Sequence, residues 1–344
     1  AKDAVELFRM AHTASDGAVL AGNDTRQSIQ LELASALIAT SETTEAGALL
    51  EQLTRPDVPL PVRALALDFL GDSLLFEGDV DHALETYKEC EALARSADLP
   101  QVLCEVACDL SELHGRQYER LAGTDAKKAS GHHELHLRYV QEAFDLRSTV
   151  SDPSLQARVL RNKAKRSRVD GNLPEALELY RQSIASVDDR VAGHRFLIPY
   201  AKTLRLSGQH DEALAVIARV LSWATQVGSR RSEAIGWQYN GMFLMTDAGG
   251  EEQLVTARES LQKAVHLHRI IRYEQGLHET ELLLAEVELR LGRRSEAIAH
   301  LVKAIAGHEG EPDDLIEIGA RELEANGERD RAEYLRSHIA NEAA

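Results

Sequence analysis

One short phrase recurs along the chain at a spacing typical of helical repeats. Each copy has a glycine, a short polar gap, an alanine five residues after the glycine, and then an amphipathic helix pattern. The copies begin at Gly78, Gly171, Gly208 and Gly292, with a weaker one at Gly327. With the weak middle copies included, the spacing is about 35 to about 43 residues. Glycine adopts a left-handed conformation at little cost, so each copy marks the end of one helix and the start of the next. Stacked helix pairs of this kind form a curved superhelix with a concave groove.

Aromatic and small residues around the repeated glycines match a known pattern. Tyr87 and Tyr180 each follow the alanine of their copy by four residues, which places them one turn along the same helix face. Leu70 and Gly71, before the first glycine, occupy the leucine–glycine step of that pattern, and Trp237 with Gly241 reproduces its tryptophan and glycine positions. On the evidence of these motifs the chain resembles the tetratricopeptide repeat proteins, and the resemblance extends over most of its length. The resemblance implies an all-α fold, a right-handed superhelical solenoid of about eight antiparallel helical hairpins.

The same reading gives the domain organisation. A single solenoid over residues 1–344 is expected, with a partial N-terminal repeat at 1–24, repeats over 25–307 and a C-terminal capping hairpin at 308–344. The hairpins are predicted near 25–53, 61–97, 100–150, 154–187, 192–227, 231–271, 275–306 and 312–340. Residues 123–131 are predicted to form a loop insertion, and residues 247–250 are predicted to lengthen the connection within the sixth pair. The amphipathic start without a methionine favours a fragment of a longer polypeptide.

Composition narrows the function classes. The formal charge of −17 argues against direct nucleic-acid binding, which needs a basic surface. Three cysteines do not make a disulfide framework, so a reducing cytoplasm is the expected location. Cys104 and Cys108 are four residues apart and are expected to face the core together. No segment reaches the roughly 18 uninterrupted apolar residues of a membrane span, so no membrane association is expected.

The family resemblance also implies which side chains line the groove, because the first helix of each pair faces it. The implied residues are mostly basic in the fourth and fifth pairs and uncharged in the sixth: Arg158, Arg161, Lys165, Arg168; Arg195, Lys202, Arg205; Gln238, Met242, Met245. Seven cations in an acidic chain predict a partner protein or peptide with acidic and apolar character. The alternative is a solvated basic face balanced by acidic neighbours on other helices.

Chemistry-bearing motifs are few. His132 and His136 lie four residues apart and could share a metal on a helix, although solvated histidines at a helix start are the preferred interpretation. The sequence has no phosphate-binding loop, no dinucleotide-binding glycine pattern following a strand and no nucleophile elbow. We therefore expect no enzymatic activity, no cofactor and no metal.

Three functions stay open at this point. The chain is similar to the repeat arms of bacterial signal-transduction ATPases and transcriptional activators, which implies a ligand-sensing or interaction domain of a larger regulator. A stand-alone peptide receptor or assembly scaffold is the second, and a helical-repeat metal-binding or enzymatic domain is the third. An incomplete repeat exposes apolar surface, which allows a homo-oligomer.

Overall fold

The computed structural model describes residues 2–17, 23–39, 42–121, 125–187, 194–245, 250–304, 312–325 and 329–337. These residues form seventeen α-helices and one 3₁₀ turn at Arg147–Thr149, with no strand in those ranges. In chain order the helices are α1 (Lys2–Gly17), α2 (Asn23–Ala39), α3 (Thr43–Leu53), α4 (Leu60–Glu77), α5 (Val80–Ser96), α6 (Pro100–Leu121), α7 (Ala126–Leu146), α8 (Pro153–Val169), α9 (Leu173–Ala185), α10 (His194–Leu206), α11 (His210–Val227), α12 (Arg230–Leu244), α13 (Glu251–Ile271), α14 (Glu274–Arg290), α15 (Arg294–Ala304), α16 (Pro312–Ala325) and α17 (Arg329–Ser337). The expected all-α architecture is confirmed.

The repeated glycines lie where the first helix of a pair gives way to the second. Gly78, Gly171, Gly208 and Gly292 all have φ between 73° and 87°, the left-handed region that favours glycine. The alanine five residues after each of these glycines is at most 1% exposed, because it lies where the second helix packs on the first. The sequence prediction for these four turns is therefore confirmed.

Clustering of backbone contacts divides the chain into two compact units. Unit 1 comprises residues 1–118 and 127–163, and unit 2 comprises residues 119–126 and 164–344. The single solenoid over 1–344 and its right-handed twist stay predictions.

The core of unit 1 contains all three cysteines. Cys90, Cys104 and Cys108 are fully buried free thiols that pack with Tyr87 and Leu110. The Cys90 thiol donates a hydrogen bond to the Ala64 carbonyl oxygen (3.2 Å). The expectation that Cys104 and Cys108 face the core is confirmed, and they act there as small apolar groups.

Unit 2 has its own buried clusters. One joins Leu282 of α14 to Leu301 of α15 and Ile316 of α16. Another joins Met245, which follows α12, to Leu261 of α13. Within the described residues, no helix of the chain combines the length and apolar character needed to cross a bilayer.

Part of the predicted loop at 123–131 is helical. Helix α7 begins at Ala126, so residues 126–131 belong to its first turns, while 122–124 lie outside the described residues. Two alanines and two lysines in this stretch are strong helix formers, and Ala129 is buried. Of the predicted stretch at 247–250, residues 247–249 lie outside the described residues, and Gly250 immediately precedes α13.

Candidate functional site

The turn glycines give a common register for the first helices. In α4, α8, α10 and α14 the residue six positions before the glycine is, in order, Asp72, Lys165, Lys202 and Glu286. The residue three positions before it is Leu75, Arg168, Arg205 and Leu289. Helices α8 and α10 therefore present the same lysine–arginine pair at the same place in the repeat. An acidic residue takes the lysine position in α4 and α14.

Two of the predicted groove cations form ion pairs inside unit 1. Both terminal nitrogens of Arg158 donate to the two carboxylate oxygens of Asp109, from Nη1 at 3.1 Å, and its Nε donates to Glu112 at 3.4 Å. Arg161 Nη2 donates to the same Glu112 oxygen at 2.5 Å. These two arginines thus match the alternative in which acidic neighbours balance the basic residues.

Burial and charge act in opposite directions on the two carboxyls that hold Arg158. Burial raises the pKa of Asp109 to about 7, although the charge of Arg158 opposes the rise. Burial also acts to raise the pKa of Glu112, but the charges of Arg158, Arg161 and Arg116 outweigh it and lower that pKa to about 2. Arg158 is therefore the central cation of this buried network.

Helices α10 and α12 bring three predicted groove residues together in unit 2. The Lys202 ammonium donates to the Tyr239 hydroxyl at 3.4 Å and lies 5.4 Å from the centre of that ring. Arg205 donates to the carbonyl oxygen of Met242 at 3.2 Å, with its guanidinium 5.2 Å from the centre of the Phe243 ring. In the described part of the chain, Lys202 has no carboxylate partner.

The other predicted groove residues differ in their exposure. Lys165 and Arg168 are half-buried on α8, and Arg195 is exposed near the start of α10. Within the described ranges, Arg168 makes no ion pair, and its Nε has no hydrogen-bond partner. Gln238 and Met245 lie inside the helix packing rather than on a surface, because α13 and α14 cover that side of α12. Gln238 donates to Glu279 at 3.1 Å, and Met245 is 3% exposed.

The histidines of α7 are held by neighbouring protein groups. His136 Nδ1 lies 2.8 Å from the Ser111 carbonyl oxygen, and His132 Nδ1 lies 2.9 Å from Nδ1 of His114 on α6. Among the described residues, no group of three or more His, Cys, Asp or Glu side chains is arranged to hold a metal ion. The pairing of His132 with His136 at one metal, considered from the sequence, is not the arrangement seen here.

Sequence reasoning missed the acidic residues of unit 1. Asp68 and Asp72 of α4 lie close to Glu105 and Asp109 of α6, beside Arg158. A signal was present, because Asp72 has the same register before Gly78 as Lys165 has before Gly171. The sequence prediction assigned groove residues only to later helix pairs, so α4 was left out.

One buried histidine predicts acid sensitivity in unit 2. His268 is fully buried, its Nε2 lies 3.2 Å from Gln238, and burial, then the charge of Arg231, lowers its pKa to about 4. The folded state thus binds this proton less readily than the unfolded state. His268 therefore contributes stability above pH 6.5 that is lost as the pH falls toward 4. Between pH 7.5 and pH 4.5 this loss is roughly 2 kcal/mol.

Urea unfolding of the parent and of His268→Gln at both pH values checks this. Between pH 7.5 and pH 4.5 we expect the free energy of unfolding of the parent to fall by roughly 2 kcal/mol more than that of the variant. This expectation holds whatever the difference in stability between the two proteins at pH 7.5. Equal losses in the two proteins would show that His268 does not carry the effect.

Comparison with known proteins gives structural similarity only. No family model and no curated protein matches the sequence. The crystal structure of the apo form of RapI superposes with a TM-score of 0.54 at 12% identity, covering 92% of this chain and 86% of that one. A Signal Transduction ATPase with Numerous Domains from Pyrococcus horikoshii, which has a tetratricopeptide repeat sensor, gives a TM-score of 0.55 at 14% identity, covering 94% of this chain and 53% of that one. Together with the glycine turns and the buried alanines, these similarities show that the chain has the tetratricopeptide repeat fold.

Proposed function

We propose that the chain is a scaffold that binds a segment of another polypeptide through the first helices of unit 2. The observation that carries the proposal is the lysine–arginine pair repeated at one register, Lys165 with Arg168 on α8 and Lys202 with Arg205 on α10. Within the part of the chain described, Arg168 and Lys202 have no ion-pair partner. Positive charge that the protein does not neutralise itself suits a partner carrying carboxylates.

The surroundings of these cations favour a partner that also has apolar side chains. Lys202 and Arg205 lie against the rings of Tyr239 and Phe243, and Met242 beside them is half-buried. A cation held by a ring loses less conformational freedom when it binds a carboxylate, so more of the interaction energy goes into affinity. The proposed segment therefore has acidic residues with apolar residues between them.

We extend the proposal to the role of a sensing arm in a larger bacterial regulator. The sensing role is supported by the Pyrococcus protein, whose tetratricopeptide repeat part is a sensor and whose structure aligns with 94% of this chain. A stand-alone peptide receptor would use the same face. Neither role requires a reaction, a cofactor or a metal.

The test uses a displayed library of random peptides selected on the immobilised chain. We expect the selected peptides to be enriched in Asp or Glu and in apolar residues. The double variant Lys165→Glu, Lys202→Glu should bind the best of them at least about tenfold more weakly, since each lost charge-assisted hydrogen bond is worth about 1.5–3 kcal/mol. Fluorescence anisotropy with the labelled peptide measures the affinity.

A matched variant controls for net charge. Lys88→Glu, Lys303→Glu makes the same charge change at exposed positions on the second helices α5 and α15. It should bind the peptide as the parent does. If both double variants bind equally well, or if the selection yields no acidic peptides, the first-helix cations of unit 2 are not the binding site.

A further inference from the structure

Five carboxylates of α4 and α6 form an acidic cluster in unit 1. Its members are Asp68, Asp72, Glu105, Asp109 and Glu112. Arg158 is bound by the last two, and Arg161 is bound by Glu112. Asp72 accepts a hydrogen bond from the Tyr87 hydroxyl at 2.7 Å, and Gln101 provides one to Glu105. Four of the five carboxylates therefore have hydrogen-bond donors within the protein.

Asp68 is the exception. Its side chain is in the core at 3% exposure, and its Oδ1 has no hydrogen-bond partner among the described residues. Burial, then the charges of Asp109, Asp72 and Glu105, raises its pKa well above the usual range for aspartate. A buried carboxyl without a hydrogen-bond donor costs folding energy. Asp68 thus indicates a missing donor that carries positive charge.

The geometry favours an organic cation over a metal ion. The described carboxylates include no group of three that could hold a metal ion. Arg158 shows that a planar guanidinium fits between carboxylates here, since it forms a two-pronged pair with Asp109 and a third bond to Glu112. A guanidinium is also more weakly hydrated than an ammonium, so it enters a buried acidic site at lower cost.

We infer that this acidic cluster binds an arginine side chain of a partner polypeptide, with Asp68 and Asp72 accepting its hydrogen bonds. The inference deepens the proposed function, because it rests on the chain binding a polypeptide. It assigns that binding a second, oppositely charged subsite in unit 1. The two subsites use different residues, so each can be tested without the other.

The test uses a fluorescein-labelled hexapeptide containing two arginines and the same peptide with citrulline in their place. Citrulline keeps the shape of arginine and removes its charge. We expect the parent to bind the arginine peptide at least tenfold more tightly than the citrulline peptide. Asp68→Asn should reduce that affinity at least tenfold while raising the melting temperature, because it removes the unpartnered acid without changing its shape.

The matched control is Asp81→Asn, which removes one carboxylate at an exposed position of α5. It should bind the arginine peptide as the parent does, and so should Lys165→Glu, Lys202→Glu. Equal binding by the Asp68→Asn and Asp81→Asn variants would overturn the inference, since attraction to a chain of charge −17 would then suffice. Failure of the parent to prefer arginine over citrulline would overturn it too. In both cases the acidic-peptide result in unit 2 would stand.

Discussion

Replacing Arg158 with methionine is expected to lower the free energy of unfolding by about 3–5 kcal/mol at pH 8.5, the range found when one partner of a buried ion pair is removed. Methionine keeps the volume and removes the charge, so Asp109 and Glu112 lose the cation that both of them contact. Arg161 still pairs with Glu112, but the two-pronged contact with Asp109 is lost.

The stability lost in Arg158→Met should be smaller at pH 5.5, because Asp109 carries less negative charge at that pH. Asp109, with a pKa of about 7 in the parent, is ionised at pH 8.5 and largely protonated at pH 5.5. Its attraction to Arg158 therefore contributes to stability mainly at the higher pH, and removing Arg158 matters most there. Urea unfolding of both proteins at the two pH values measures the difference.

Arg95→Met is the matched control for the Arg158 experiment. Arg95 also pairs with two carboxylates of unit 1, Glu91 and Glu142, but its side chain is 48% exposed. Replacing Arg95 should lower the free energy of unfolding by about 1 kcal/mol or less, because solvent screens the charges of exposed ion pairs. If the two variants lose the same stability, or if the Arg158 loss does not depend on pH, the buried network is not what Arg158 stabilises.

The architecture could be predicted from sequence because its signals are local. The glycine and the alanine five residues after it lie close together in the sequence, and the turn between them brings the second helix onto the first. The predicted hairpin ranges begin and end close to helix ends wherever those ends lie among the described residues. The exception was the start of α7, where the polar and glycine-containing sequence masked a helix that the packing of Ala129 supports.

The site could be predicted only in part because charge pairing is not local. Arg158 and Asp109 are 49 residues apart, on different helices, and nothing in the sequence around either indicates the other. Four cations of α8 were therefore predicted to line the groove, whereas Arg158 and Arg161 among them form ion pairs in unit 1. Met245 was misplaced for a similar reason, since only the packing of α13 and α14 shows that it is covered.

The close approach of α4 and α5 gives the second large prediction. Gly71 faces the ring of Tyr87, and a Cβ atom at Gly71 would lie 2.7 Å from Cδ1 and 2.8 Å from Cζ of that ring. The ring cannot move away easily, because Tyr87 is fully buried and its hydroxyl is bound to Asp72. Tyr87→Ala should therefore cost about 3–5 kcal/mol, as for other large aromatic residues removed from a core.

Gly71→Ala should cost about 1–3 kcal/mol in the parent, the usual penalty for overpacking a filled core. In the Tyr87→Ala background the same change should cost far less, because the three atoms nearest to the new methyl group all belong to Tyr87. The double-mutant cycle, measured by urea unfolding, should thus give a coupling energy of about 1–3 kcal/mol.

Gly47→Ala is the control for this experiment. A Cβ atom at Gly47 would have no neighbour within 4 Å, so this substitution should stabilise its helix slightly. Additive losses at positions 71 and 87 would mean that the glycine is needed for the backbone of α4 itself. A coupling of the expected size would mean that it is needed to admit the tyrosine, which is the contact that sets the spacing of this helix pair.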